Sequence, residues 1–143
     1  MAVTMTREQR TIPTYEPAPP NSLPFFLEKK AYQGATGKVY PLPYTDRLSN
    51  TRINKDYDMI ILENEYIQVE LLPELGGKIH GAVQKSNGYE FIYKNICIKP
   101  AMVGLAGPWV SGGVEFNWPQ HHRPTTFMPT EATLQENSDG SKT

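Results

Sequence analysis

Residues 57–93 constrain this chain more than any other stretch, because strand periodicity and turn chemistry alternate there without a gap. Residues 57–63, Tyr-Asp-Met-Ile-Ile-Leu-Glu, read as a strand, and Asn64-Glu65 as the turn that follows. Residues 66–72 alternate large apolar and polar side chains at period two, the mark of a half-buried strand. Pro73 ends that strand because it has no N–H for a ladder, and Gly76-Gly77 permit a tight turn at positive φ. Residues 78–84 form the next strand, Asn87-Gly88 suits a type I′ hairpin turn, and residues 89–93 pair back. Four short consecutive strands joined by short turns predict an antiparallel meander and an all-β fold.

The flanks differ. Seven of the 13 prolines lie in the first 43 residues, which removes backbone donors and favours extended chain there. Residues 1–20 are expected to be a disordered tail. Residues 21–56 carry Phe25, Phe26, Tyr32, Tyr40 and Tyr44, too many large apolar groups for a solvated linker. They are expected to form an extended, aromatic and proline-rich arm laid against a sheet or a neighbouring subunit, with a short strand at 38–40. Residues 57–143 make up the antiparallel β domain. Within it, residues 128–135 read as one more strand and 136–143 as a hairpin turn whose returning strand is missing, so the domain is expected to be incomplete.

Charge excludes some partners. Fourteen basic and 15 acidic residues give a formal charge of −1 with no like-charge run, which predicts no nucleic-acid partner. The longest apolar run is about four residues, against the roughly 20 that span a bilayer, so no membrane partner is expected. The one cysteine, Cys97, has no intrachain partner and reads as a buried thiol between Ile96 and Ile98. With a polar N-terminus lacking an apolar core, it points to a reducing, cytoplasmic location.

Residues 112–124 hold the densest polar constellation: Glu115, Asn117, Trp118, Gln120, His121, His122 and Arg123. Sugars are gripped by such mixtures, with planar polar groups on vicinal hydroxyls and an aromatic face on the C–H side of the ring. Glu115 and Asn117 share strand parity, which sends them to one side and Phe116 toward the core. The same residues would also serve to tie down a long loop, and the sequence leaves both readings open. Adjacent histidines in extended chain face opposite ways, and no His-x-His or Cys-x-x-Cys spacing occurs, so no metal is expected. Gly76-Gly77-Lys78 lacks the Ser/Thr and the following helix of a phosphate loop, and no cofactor is expected.

Residues 69–79 (VELLPELGGKI) followed by 88–92 (GYEFI) resemble the opening strands of galactose-mutarotase-like proteins, and 112–119 (GGVEFNWP) is similar to the stretch ending in Trp-Pro of the hexose-phosphate mutarotase branch. Residues 24–30, 37–43 and 116–124 resemble a bacterial family, of uncharacterised function, that places a mutarotase-like domain ahead of tetratricopeptide repeats. The resemblance covers roughly residues 15–143. It implies the N-terminal part of a β-supersandwich and a sugar site. In the mutarotases the catalytic glutamate and histidine come from later strands, and an arginine precedes the Gly-Gly segment where this chain has Pro108-Trp109-Val110-Ser111. The chain alone is therefore expected to catalyse no mutarotation, with its catalytic residues left unassigned.

Together these readings predict a carbohydrate-recognising β fragment. Trp109 and Trp118 are its stacking candidates, Glu115, Asn117, His121, His122 and Arg123 its polar contacts, and His80 a further one. A homodimer is the expected assembly. The rival reading is a non-enzymatic module that docks through its aromatic arm and a free sheet edge.

Overall fold

The alternation read between residues 57 and 93 becomes a sheet because period-two side chains gather the apolar row on one face and the polar row on the other. The computed structural model describes residues 2–22, 25–26, 39–40, 45, 47–104, 107–118, 122 and 124–143. Its strands are β1 (Thr4–Pro17), β2 (Phe25–Phe26), β3 (Val39–Tyr40), β4 (Leu48–Glu63), β5 (Ile67–Leu72), β6 (Lys78–Gln84), β7 (Tyr89–Ile92), β8 (Pro100–Gly104) and β9 (Gly107–Val110). Short 3₁₀ turns occupy Pro73–Leu75 and Pro124–Thr126. The main sheet has the order β1-β4-β5-β6-β7, antiparallel throughout, while β2–β3 and β8–β9 are separate antiparallel pairs. The chain is all-β, and the predicted meander is its β4–β7 portion.

The expected disordered tail is instead β1, which runs antiparallel to β4 from Thr4↔Glu63 to Pro17↔Leu48. Half of its side chains are exposed and only Ile12 and Thr14 are buried, so no apolar alternation marks it. Pro13 is tolerated because its carbonyl points away from β4 and accepts the Ile98 N–H at 2.9 Å. The missing donor lies on that outer side and costs no β1–β4 ladder bond. Residues 48–56, assigned to the arm, likewise belong to β4. They form a ribbon with β1 whose β4 side chains are mostly exposed, which removes the apolar signal. Of the arm itself, Val39–Tyr40 does pair with Phe25–Phe26; Tyr32 and Tyr44 lie outside the described residues.

The core lies on one face of the sheet. Ile12, Tyr57, Met59, Ile61 and Leu72 project from it and meet Ile98 and Val110 from the segment that folds across. Cys97 is only half-buried, because Ile98 turns inward while Ile96 is 94% exposed. On the opposite face Ile60 and Ala82 are buried. Residues 128–135 form no strand. They are held by Met128 O accepting the Gly76 N–H and by the Thr130 N–H donating to Pro73 O, both 2.9 Å, which ties them to a turn and not to a ladder. The hairpin expected to lack its return closes on itself, since Gln135 and Thr143 exchange backbone bonds of 2.7 and 2.9 Å around a Glu136↔Lys142 bridge.

Candidate functional site

The site begins at β9. Pro108 and Val110 are buried toward the core, so alternation sends Trp109 to the other side of the strand. The chain then reverses through Gly112 (φ 83°) and Gly113 (φ 72°). At Gly113 any Cβ would overlap the Ile79 carbonyl oxygen, so only glycine allows Val114 to reach β6. There Val114 and Ile79 exchange backbone hydrogen bonds of 2.8 and 3.0 Å. That bridge fixes Glu115 beside Trp109.

Glu115 is the hub. Its Oε2 accepts the indole N–H of Trp109 at 2.7 Å. Its Oε1 lies 2.6 Å from His122 Nε2 and accepts the Asn117 amide N–H at 3.3 Å. A hydrogen bond from the ring to a carboxylate oxygen uses the proton on Nε2 and leaves Nδ1 free of this contact. The His122 ring also packs on Trp109, with centroids 5.4 Å apart at 47°. The Pro124–Thr126 turn closes the cluster, as the Thr126 hydroxyl donates to Asn117 Oδ1 at 3.2 Å and the Thr125 hydroxyl to Trp118 O at 2.7 Å.

One of the expected orientations changes. Glu115 and Asn117 do share a side, but residues 115–117 form no strand, and Phe116 is 56% exposed instead of facing the core. Trp118 is 74% exposed, a free aromatic face, whereas Trp109 is half-buried with its N–H already committed. His121 and Arg123 lie outside the described residues.

His80 belongs to a different environment. Burial pushes its pKa below the ordinary imidazole value, Glu70 opposes that, and Lys94, Lys78 and Arg10 add to it. The ring is therefore neutral at pH 7. Glu70 is 4% exposed and accepts from Lys94 Nζ at 2.9 Å and from the Arg10 guanidinium. Burial alone would raise its pKa, but hydrogen bonds and charge from Lys94 and Arg10 outweigh that and hold it below the usual carboxylate value.

Lys78 is the residue near the site that the sequence did not single out. It is buried opposite Leu72, and its ammonium donates to Val110 O at 3.0 Å. Burial lowers its pKa, and the negative charge of Glu115 counteracts this. Only the register of β5 against β6 reveals that this lysine points inward. Among the described residues no group of three or more His, Cys, Asp or Glu side chains could hold a metal ion, and no helix is long and apolar enough to cross a membrane.

The fold is similar to that of a TPR-domain containing protein from Parabacteroides distasonis, with a TM-score of 0.80 and 28% identity. The match covers 96% of this chain and 23% of that one, so the present chain spans under a quarter of its structural relative. Residues 35–143 match the family model described as a domain of unknown function, DUF5107. That match takes in the whole of the Glu115 cluster and the β4–β7 meander, and the chain belongs to the DUF5107 family.

Proposed function

We propose that the chain supplies one wall of a carbohydrate-binding site within a larger, mutarotase-like, cytoplasmic protein that carries TPR repeats. The observation that carries this reading is the Glu115 hub together with an exposed tryptophan three residues further along the chain. A carboxylate has about four lone-pair sites, and three are used here, so Glu115 keeps one for a sugar hydroxyl. Asn117 has one amide N–H beyond the one it gives Glu115, and His122 offers Nδ1. Trp118 presents an open ring for the C–H face of a pyranose. The mutarotase-like character rests on the sequence resemblance, and the single cysteine supports the cytosol.

The test is a titration with a panel of aldoses followed by tryptophan fluorescence, with Trp118→Ala and Glu115→Gln alongside. Trp118→Ala is expected to keep the wild-type melting temperature, because exposed substitutions cost little, while losing the response. Glu115→Gln should weaken binding by about tenfold, the worth of one charge-assisted hydrogen bond. A panel that leaves the wild-type spectrum unchanged removes the reading.

A second reading is favoured by β7. This strand ends the main sheet among the described residues, and Tyr89 and Phe91 on it and Tyr93 just after it are all exposed. An edge left without a neighbouring strand among the described residues, with an aromatic stripe, suits self-association.

A further inference from the structure

On the far side of β9 from Glu115 lies a cavity of about 320 Å³. Its walls are apolar, with Leu75, Ile98, Pro108, Val110, Phe127 and Met128 among them. That volume is at the lower end of small-molecule sites and suits one ring or a branched alkyl group. Because Trp109 and Val110 alternate across β9, this cavity and the Glu115 cluster are back to back and share no side chain.

The polar groups of the cavity decide what it can take. The Tyr57 hydroxyl is spent as a donor, since it lies 3.0 Å from Thr14 Oγ1, which itself donates to Ile12 O. Lys55 is spent as well: its ammonium pairs with Glu16 at 3.1 Å and sits 5.2 Å above the Tyr57 ring. Glu74 is not. Its Oε1 accepts the Asp58 backbone N–H at 3.0 Å, and among the described residues nothing donates to Oε2. Two carboxylates against one ammonium leave the lining with a net charge of −1. An anion would have to break the Lys55–Glu16 pair, whereas a cation meets an acceptor already held in place.

We propose that this cavity is a second binding site, for small amphipathic amines, with the apolar body among Ile98, Val110 and Met128 and the protonated nitrogen on Glu74. A neutral ligand of the same shape gains only the burial. An ammonium adds a charge-assisted hydrogen bond, worth about tenfold in affinity.

The experiment uses the full 143-residue chain with labelled Ile, Val and Met methyl groups, and phenethylamine, 2-phenylethanol and 3-phenylpropanoate as probes. Phenethylamine is expected to shift the methyl signals of Ile98, Val110 and Met128 saturably, about tenfold more tightly than the alcohol, and the carboxylate to leave them unmoved. Glu74→Gln should bring the amine to within about twofold of the alcohol. The proposal is overturned by shifts that map elsewhere, by equal affinity of amine and alcohol, or by an amine affinity indifferent to Glu74→Gln. Should that variant fail to fold for want of its Asp58 contact, the wild-type comparison of amine with alcohol decides alone.

Discussion

At the scale of single residues, the buried carboxylate of Glu70 does most to define one end of the core face. It sits opposite Ile61 and Gly81, and Arg10 and Lys94 reach it from either side of the sheet. Its folded pKa lies below the ordinary 4.5, so the native state holds the carboxylate more strongly than the unfolded chain does. The stability it contributes is fully present above that unfolded value and is lost as pH falls through the lower folded one. Glu70→Gln is expected to cost about 2 kcal/mol at pH 7, because the two cations keep partial access to water. Urea melts of both proteins from pH 7 to pH 3 should show that gap closing in acid. A gap that stays constant would show that Glu70 acts through packing alone. Gly113 makes the complementary case for backbone. Gly113→Ala meets both a positive φ and the Ile79 carbonyl, whereas Gly88→Ala meets the positive φ (68°) with nothing within 4 Å. The Gly88 variant should lose about 1 kcal/mol, and the Gly113 variant should lose more, together with the Trp109–Glu115 contact. Equal melting temperatures for the two variants would mean that the close approach is relieved by a backbone shift.

At the scale of elements, β1 shows what a sequence conceals. Strands β4 to β7 were legible because their alternation and their punctuation by Pro73, Gly76, Asn87 and Gly88 agree. Strand β1 was not, because an edge strand that buries only Ile12 and Thr14 needs no apolar period, and Pro13 argues against a ladder until its outward direction is known. The site was legible in part for a related reason. Glu115, Asn117 and His122 stood out as a dense polar cluster, and they do converge. His80 did not join them, and Lys78 was missed, because facing depends on register and register is set by partners far along the chain. The β1 assignment is directly testable. Amides of residues 5–12 that bond β4 should exchange with solvent as slowly as those of the β4–β5 ladder, as expected for one cooperative sheet. Fast exchange throughout residues 4–17 would restore the disordered tail.

At the scale of the whole molecule, the two ends of the main sheet are unequal, and that inequality predicts how copies meet. The β1 end is partly closed, since Ile98 pairs in parallel with Thr14 and takes up the outward groups of Pro13 and Tyr15. Among the described residues the β7 end has no such strand beside it in the sheet order, and Tyr89 and Phe91 alternate outward on it, with Tyr93 continuing the stripe. Two chains related by a two-fold axis could pair β7 with β7 antiparallel, which satisfies the edge donors and acceptors and covers both stripes at once. A strand of four residues gives a short ladder, so apolar contact and not hydrogen bonding would supply most of the affinity. The expected behaviour is a reversible dimer: light scattering over a dilution series should pass from twice the chain mass to the chain mass. Phe91→Lys places a charge in the middle of the stripe and should give a monomer at every concentration, with the melting temperature of the dilute, monomeric wild type. A wild-type chain that scatters as a monomer throughout, or a Phe91→Lys variant that still dimerises, would take β7 out of any assembly and leave the sugar wall as the surviving reading.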